Sequence, residues 1–230
     1  MSLSHHHSAA VYYALTEGID RRALTDEWAA VLTTEEAARL SSLRLERDQR
    51  DYLAAHVLLR RALGAERGLD PRSLHPGERI GWSLSHTDGF VVCAVAAEQG
   101  QAIGVDTESV TAAERLQTMT DTFLTADELT ALPSDPNDRA VRMVEIWTAK
   151  EAVLKARGAG FSGEEGFRVL SRLHSTPLGM LDGWGKISVR DARTSAAYSV
   201  WRRWVAIHAI AIVAIEGNEE EPRLMGVSLQ

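Results

Sequence analysis

The sequence predicts an α+β fold built as two similar halves, and three patterns lead to that expectation. Two long helical stretches, Asp48 to Gly68 and Asp138 to about Ala156, stand one in each half. Each follows a strand-like segment and shorter helical pieces, and each precedes short apolar segments separated by turn residues. Helices and antiparallel strands kept apart in this way read as α+β rather than as the alternation of a parallel sheet. The halves divide at residues 1–104 and 105–230, and the likeness between them is one of plan, with no visible sequence repeat.

In the first half, Val11 to Leu15 reads as a strand, and Asp26 to Leu32 and the stretch from Glu35 onward have helical spacing. Along Asp48 to Gly68, Tyr52, Leu53, His56, Leu59 and Leu63 recur at three- and four-residue steps, and Gly64 and Gly68 mark the end. His56 falls on this apolar face and reads as a satisfied core histidine. Pro71 to Gly81 is a loop. Trp82 to His86, Phe90 to Ala97 and Gln101 to Glu108 are then three strands in succession, and their short turns predict a meander. In the second half, helices are expected near Ala112 to Thr122 and Ala126 to Leu132, followed by a loop at Pro133 to Asn137. Asp138 can cap the next helix, and Gly158 and Gly160 lie beyond its end. Strands follow near Gly166 to Leu170, Lys186 to Arg190, Ala197 to Arg202 and Val205 to Ile215, then an acidic, loosely held tail from Glu216.

Composition narrows the class. The 230 residues are 45% hydrophobic and 25% charged, an ordinary globular balance. No apolar run reaches the roughly 18 residues of a membrane span. The longest, Trp204 to Ile215, is interrupted by His208. The start, MSLSHHHSAA, has no basic segment followed by an apolar core, so no signal peptide is expected, and its histidines read as a disordered tip. The single cysteine, Cys93, precludes an intrachain disulfide and sits in an apolar run as a core thiol. These features predict a cytoplasmic protein. A net charge of −7 without a long basic block argues against non-specific nucleic-acid binding.

The charged residues are distributed unevenly. Arg39, Arg44, Arg47, Arg50, Arg60 and Arg61 crowd one stretch, either as a solvated helix face or as a local anion site. Lysine is scarce, being found only at positions 150, 155 and 186, and Lys150 and Lys155 flank Glu151. Asp106 and Glu108, at i and i+2 of a strand ending, project to one face, where two carboxylates repel unless a cation or proton lies between them. Oxygen donors of this kind suit Mg2+ or Mn2+; otherwise the pair is a solvated strand end. Trp147, Glu151 and Lys155 share a helix face at i, i+4 and i+8, a pattern that an ordinary surface ion pair would also produce. Gly81-Trp82-Ser83-Leu84-Ser85 approaches a nucleophile elbow but lacks its final glycine. Ser85-His86 before a turn can offer a hydroxyl, an imidazole and backbone N–H groups to a phosphate.

In order along the chain, Ser83-Leu84-Ser85-His86, Ile103-Gly104-Val105-Asp106-Thr107-Glu108, Phe123-Leu124-Thr125-Ala126-Asp127-Glu128 and Trp147-Thr148-Ala149-Lys150-Glu151-Ala152-Val153-Leu154-Lys155 resemble the 4′-phosphopantetheinyl transferases of the large, single-chain class. That class includes the activators of nonribosomal peptide and polyketide synthases. The resemblance spans about Glu35 to Gly160; further on, only strand pattern and length agree.

The resemblance implies two α+β halves with the active site in the cleft between them. The protein would act as a monomer, moving the 4′-phosphopantetheine arm of coenzyme A to a serine of an acyl or peptidyl carrier protein. Asp106, Glu108 and Glu151 match the Mg2+ ligands. Lys155 matches the lysine on the pyrophosphate, so that Glu151, Lys155 and Asp106 would carry the catalysis. Ser85 and His86 match the pair that binds coenzyme A phosphate. Arg50 and Arg39 fall where basic residues meet the 3′-phosphate. Glu128 matches a carboxylate beside the site, without an assigned role. One element departs from the pattern: the usual Gly-Lys-Pro is missing from Leu69 to Trp82, leaving Arg72, His75 and Arg79 as substitutes near the adenine. Carrier docking is expected to be mainly apolar, in the segment that offers Phe123, Leu124, Leu129 and Leu132, all four of which a core would also explain, Phe123 above all.

Overall fold

The computed structural model describes residues 9–29, 32–72, 81–98, 100–158, 170–173, 183–214 and 220–229. The chain runs β1 (Ala9–Leu15), α1 (Arg21–Trp28), α2 (Thr34–Ser42), α3 (Glu46–Arg67), β2 (Trp82–Thr87), β3 (Phe90–Ala96), β4 (Ile103–Ser109), α4 (Ala113–Gln117), α5 (Thr120–Phe123), α6 (Ala126–Thr130), α7 (Pro136–Ala156), β5 (Leu170–Leu173), β6 (Gly185–Asp191), β7 (Ala197–Val205), β8 (His208–Ala214) and β9 (Arg223–Gly226). The fold is α+β, with one sheet in the order β2-β3-β1-β9 and a second in the order β4-β8-β7-β6-β5.

Alternation along the strands makes four layers. Val91, Cys93 and Val95 of β3 pack under α3 with Leu53, Leu58 and Leu59. The intervening Phe90, Val92, Ala94 and Ala96 face the other way, onto Ile103, Val105, Ile210 and Ile212 of the second sheet. Ala209, Ala211 and Val213 of β8 then meet α7. The order is therefore helix, sheet, sheet, helix, which explains why β3 is apolar at every position. Cys93 is a free, fully buried thiol whose pKa burial pushes up.

The predicted three-strand meander stops at two strands. β2 and β3 pair, but β4 opens the second sheet by pairing antiparallel with β8, from Ile103↔Ala214 to Ser109↔His208. Local turn signals do not decide between two apolar partners, and the distant β8 takes β4. A division at 104/105 therefore cuts through β4. The tail is also more firmly held than expected. β9 adds parallel to β1 (Ala10↔Arg223 to Tyr13↔Gly226), Arg223 pairs with Glu66 of α3, and Leu229 is buried in the core beneath α3. The chain thus returns to the first sheet after completing the second.

Other boundaries move slightly. Asp20 caps α1, which begins at Arg21, before the predicted Asp26. The segment near Ala112 to Thr122 forms two short helices, α4 and α5. Asp135 rather than Asp138 caps α7, accepting from the N–H groups of Asn137 and Asp138, with Pro136 in the first turn. His5 to His7, His75, Arg79, Gly160 and most of the predicted Gly166 to Leu170 strand lie outside the described residues.

Candidate functional site

The site lies where the two sheets meet edge to edge. β2 and β4 do not pair through their backbones; side chains bridge them. Ser83 Oγ accepts the N–H of Val105 at 3.0 Å, Ser85 Oγ donates to Asp106 Oδ1 at 2.8 Å, and Thr87 Oγ1 donates to Glu108 Oε2 at 3.1 Å. The i, i+2 spacing of one strand is thus matched by the i, i+2 spacing of the other. Ser83, spent on holding Val105, is not poised as a nucleophile, and among the described residues neither Ser83 nor Ser85 bonds to a histidine.

Gly104 sets the depth of this junction. A Cβ there would stand 2.0 Å from the Ala152 carbonyl oxygen and 2.5 Å from the Ala156 nitrogen, so only glycine lets β4 lie against the backbone of α7. That approach brings Asp106 to Lys155, with Nζ 2.7 Å from Oδ1; the ammonium also reaches the Leu84 carbonyl at 3.4 Å.

Three carboxylates share the neighbourhood. Burial, then repulsion from Asp106, raises the Glu108 pKa, while Arg115 and Thr87 hold it down. Glu151 is pushed up to about 7, first by burial and then by Asp106 and Glu108, against the attraction of Lys155 and Arg115. Of the four oxygens on Asp106 and Glu108, three have partners: Ser85 and Lys155 on Asp106 Oδ1, Thr87 on Glu108 Oε2, and Arg115 on Glu108 Oε1. Asp106 Oδ2 is buried without a hydrogen-bond partner. Mutually repelling carboxylates with one orphaned oxygen fit a hard divalent cation. Among the described residues they do not form a ready-made cluster of three donors. Lys155 and Arg115 stand against them as the local positive charges.

His86, on β2, is exposed at the rim with its ring edge-on to Tyr52 (centroids 6.3 Å apart). Desolvation by the packed protein lowers its pKa, Asp51 opposes this, and Lys155 adds to it. Asp51 had no signal in the sequence, being an acid beside an arginine on a helix. It is buried, takes bonds from the Thr16 hydroxyl and, at 3.0 Å, the Gly89 N–H, and so ties α3 to the turn that follows His86. Gly89 has φ +77°, which favours glycine at that turn.

The arginine crowd separates into different roles. Arg60 is buried, bonding to Glu36 at 2.7 Å and to the His56 carbonyl at 3.2 Å, and Arg61 turns to Glu27 at 3.5 Å. Arg47 pairs with Asp48 at 3.5 Å and Arg50 with Asp51 at 3.2 Å, while Arg39 and Arg44 are exposed near the end of α2. Only the Arg39 to Arg50 group remains as an anion-binding candidate. His56 Nδ1 lies 2.7 Å from Glu36 Oε1 as an ion-pair contact without forming a well-aligned hydrogen bond, and the residue is not wholly interior, so the expected satisfied core histidine is met only in part. It borders a cavity of about 650 Å³ shared with Trp82, Leu84, Ile103, Lys155 and Gly158.

Glu128 and Lys150 belong to the scaffold. Glu128 completes a capping box with Thr125, and the fully buried Lys150 donates to Glu128 Oε2 and to the Phe123 carbonyl, each at 2.6 Å. The apolar docking surface also contracts: Phe123, Leu124 and Leu132 are buried in the core, and Leu129 alone of the four is exposed. Arg115, seven residues after Glu108 on a helix that folds back over the strand end, had no motif to announce it.

Residues 102–205, which carry β4, α7 and most of the second sheet, match the model of the 4′-phosphopantetheinyl transferase superfamily. The chain is 27% identical over 190 residues to the 4′-phosphopantetheinyl transferase HetI of Nostoc sp., covering 75% of this chain and 79% of that protein. It is 26% identical over 157 residues to slr0495 of Synechocystis sp., provisionally named as the same transferase, covering 62% of this chain and 63% of that one.

Proposed function

We propose that the protein is a 4′-phosphopantetheinyl transferase that moves the 4′-phosphopantetheine arm of coenzyme A to a serine of an acyl or peptidyl carrier protein. The serine oxygen forms a bond to the β-phosphorus, the bond from that phosphorus to the leaving oxygen breaks, and 3′,5′-ADP departs. The observation that carries the reading is the meeting of Ser85, Asp106 and Lys155 at one oxygen, with Glu108 and Glu151 beside it.

Phosphoryl transfer of this kind needs positioning and charge neutralisation more than covalent chemistry. Asp106, Glu108 and Glu151 would hold Mg2+, or Mn2+ in its place, which when bound supplies positive charge to the pyrophosphate. Lys155, anchored on Asp106, meets charge developing on the leaving side. Glu151, as ligand, as base or as both, stands where it would also take the proton of the incoming serine, directly or through water. His86 would offer a donor to coenzyme A phosphate, as would Ser85 on giving up its bond to Asp106, and Arg39 and Arg50 would offer theirs to the 3′-phosphate.

The reading extends to the large single-chain class, in which two halves enclose the active site in a cleft, and to a cytoplasmic monomer that serves peptide or polyketide assembly. Its structural support is a device present in both halves. Thr33 and Glu36 form a capping box before α3, as Thr125 and Glu128 do before α7. Glu36 is paired with Arg60 and Glu128 with Lys150, each cation lying equally far into its long helix. In both sheets the first strand of the half pairs with the last strand before the chain leaves that half, β1 with β3 and β4 with β8. The charge of −7 disfavours nucleic acid, and among the described residues no helix is long and apolar enough to cross a membrane.

The deciding experiment incubates the protein with coenzyme A, Mg2+ and several apo-carriers and weighs the carriers by mass spectrometry. Gain of one phosphopantetheine, lost in EDTA and in Asp106→Ala, is expected. Unmodified carriers throughout, or full modification in EDTA, would overturn it.

A further inference from the structure

Glu108 meets a guanidinium where the acidic site would require a metal. Arg115, on α4, places Nη2 2.7 Å from Glu108 Oε1. Its guanidinium carbon lies 5.6 Å from the centroid of the Trp147 ring on α7, and Nη1 reaches Met119 Sδ at 3.9 Å. The side chain is therefore held by an aromatic face as well as by the carboxylate, yet it remains about half exposed (51%), while Glu108 is largely covered (16%). With Thr87 on the other Glu108 oxygen, each oxygen of that carboxylate already accepts one hydrogen bond, and a cation at Oε1 would meet the positive charge of the guanidinium bonded there. Asp106 Oδ2, by contrast, is buried without a hydrogen-bond partner. Of the two Glu108 partners, Arg115 is the more exposed, and an arginine stacked on a ring can swing outward without leaving its own charge buried and unpaired.

We propose that Arg115 is an internal counter-cation of the acidic site, neutralising Glu108 in the metal-free protein and yielding Oε1 when a divalent cation binds, so that it sets the affinity for that cation. The inference rests on the metal reading of Asp106, Glu108 and Glu151. Three consequences follow. The cation engages Asp106 at an oxygen that has no hydrogen bond to give up. It reaches Glu108 Oε1 against the repulsion of a bonded guanidinium. The carboxylates remain compatible with one another while no cation is present.

The test titrates Mn2+ into the purified protein and follows the free ion by electron paramagnetic resonance, comparing wild type, Arg115→Ala and Arg115→Gln. A half-exposed ion pair of ordinary strength predicts about two- to fivefold tighter Mn2+ binding when the guanidinium is removed. In a Glu108→Gln background the same substitution should change the affinity little, which separates competition at Glu108 from a general change in charge. Circular dichroism verifies folding, and Arg115→Gln reads the effect should Arg115→Ala unfold. Equal or weaker Mn2+ binding by both variants would overturn the role of Arg115 while leaving the metal site standing. An equal gain in the Glu108→Gln background would overturn competition at Glu108. Absence of Mn2+ binding by every protein would overturn the metal site and the inference together.

Discussion

Replacing Lys150 by methionine should damage the fold and spare the chemistry. Lys150 precedes Glu151 in sequence but points into the protein, where its ammonium lies 2.6 Å from Glu128 Oε2 and 2.6 Å from the Phe123 carbonyl. Burial lowers its pKa and the Glu128 carboxylate opposes the fall. Methionine keeps the apolar stem and removes the charge, so Glu128 loses its cation inside the protein. Breaking a buried pair from one side costs about 3–5 kcal/mol, a large part of the roughly 5–15 kcal/mol by which a domain is stable. At about 2–4 °C per kcal/mol for a chain of this size, Tm should fall by about 6–20 °C. Urea denaturation gives the free energy, and carrier modification well below Tm gives the activity of the folded fraction. Removing both charges, as in Glu128→Gln with Lys150→Met, should recover much of the loss, because no charge is then left uncompensated. A Lys150→Met protein within about 1 kcal/mol of wild type but inactive would refute the reasoning and make Lys150 part of the chemistry.

Gly104→Ala should cost about 3 kcal/mol or more, because the contact is with helix backbone and cannot be relieved by a rotamer; calorimetry and loss of carrier modification together would show β4 displaced from α7. Ser83→Ala should cost about 1–3 kcal/mol by orphaning the Val105 N–H, with transfer per folded molecule retained and no labelling of wild type by a fluorophosphonate probe. Burial would raise the Glu36 pKa, but bonds from His56, Arg60 and the Thr33 N–H bring it down to about 2. Its stabilisation is therefore complete above the unfolded value of about 4.5 and disappears as pH falls from there toward 2. Denaturation midpoints across that window should fall less steeply in Glu36→Gln than in wild type, and parallel curves would contradict the pairing.

The two long helices, the apolar β3 and the motif residues were legible because each depends on local spacing. Asp106 and Glu108 share a face by strand geometry, and Glu151 and Lys155 share one by helix geometry, so their meeting needed only one close approach, at Gly104. What stayed hidden depends on distant choices. Nothing near β4 says that it will leave β3 for β8. Lys150 and Lys155 look alike in sequence, yet one helical step sends Lys150 into the core and leaves Lys155 at the site. The crowd of arginines gave no hint that Arg60 is turned inward while Arg39 stays outside, since each is judged by its partner on another element. The two Thr-x-x-Glu capping boxes were readable signals, but their buried cations were not, because these come from helices that begin several residues later.

The return of β9 to β1 sets a timetable for synthesis. β1 leaves the ribosome well before its parallel partner, from which the whole second sheet separates it. The core beneath α3 takes its final apolar side chain, Leu229, only then. The early half of the chain must therefore wait with one flank of β1 unpaired, an edge open to pairing with another nascent chain. A stalled or truncated product ending before residue 220 would carry that edge permanently, and should be recognised by quality control even though Ser85, Asp106, Glu108, Glu151 and Lys155 are all already present.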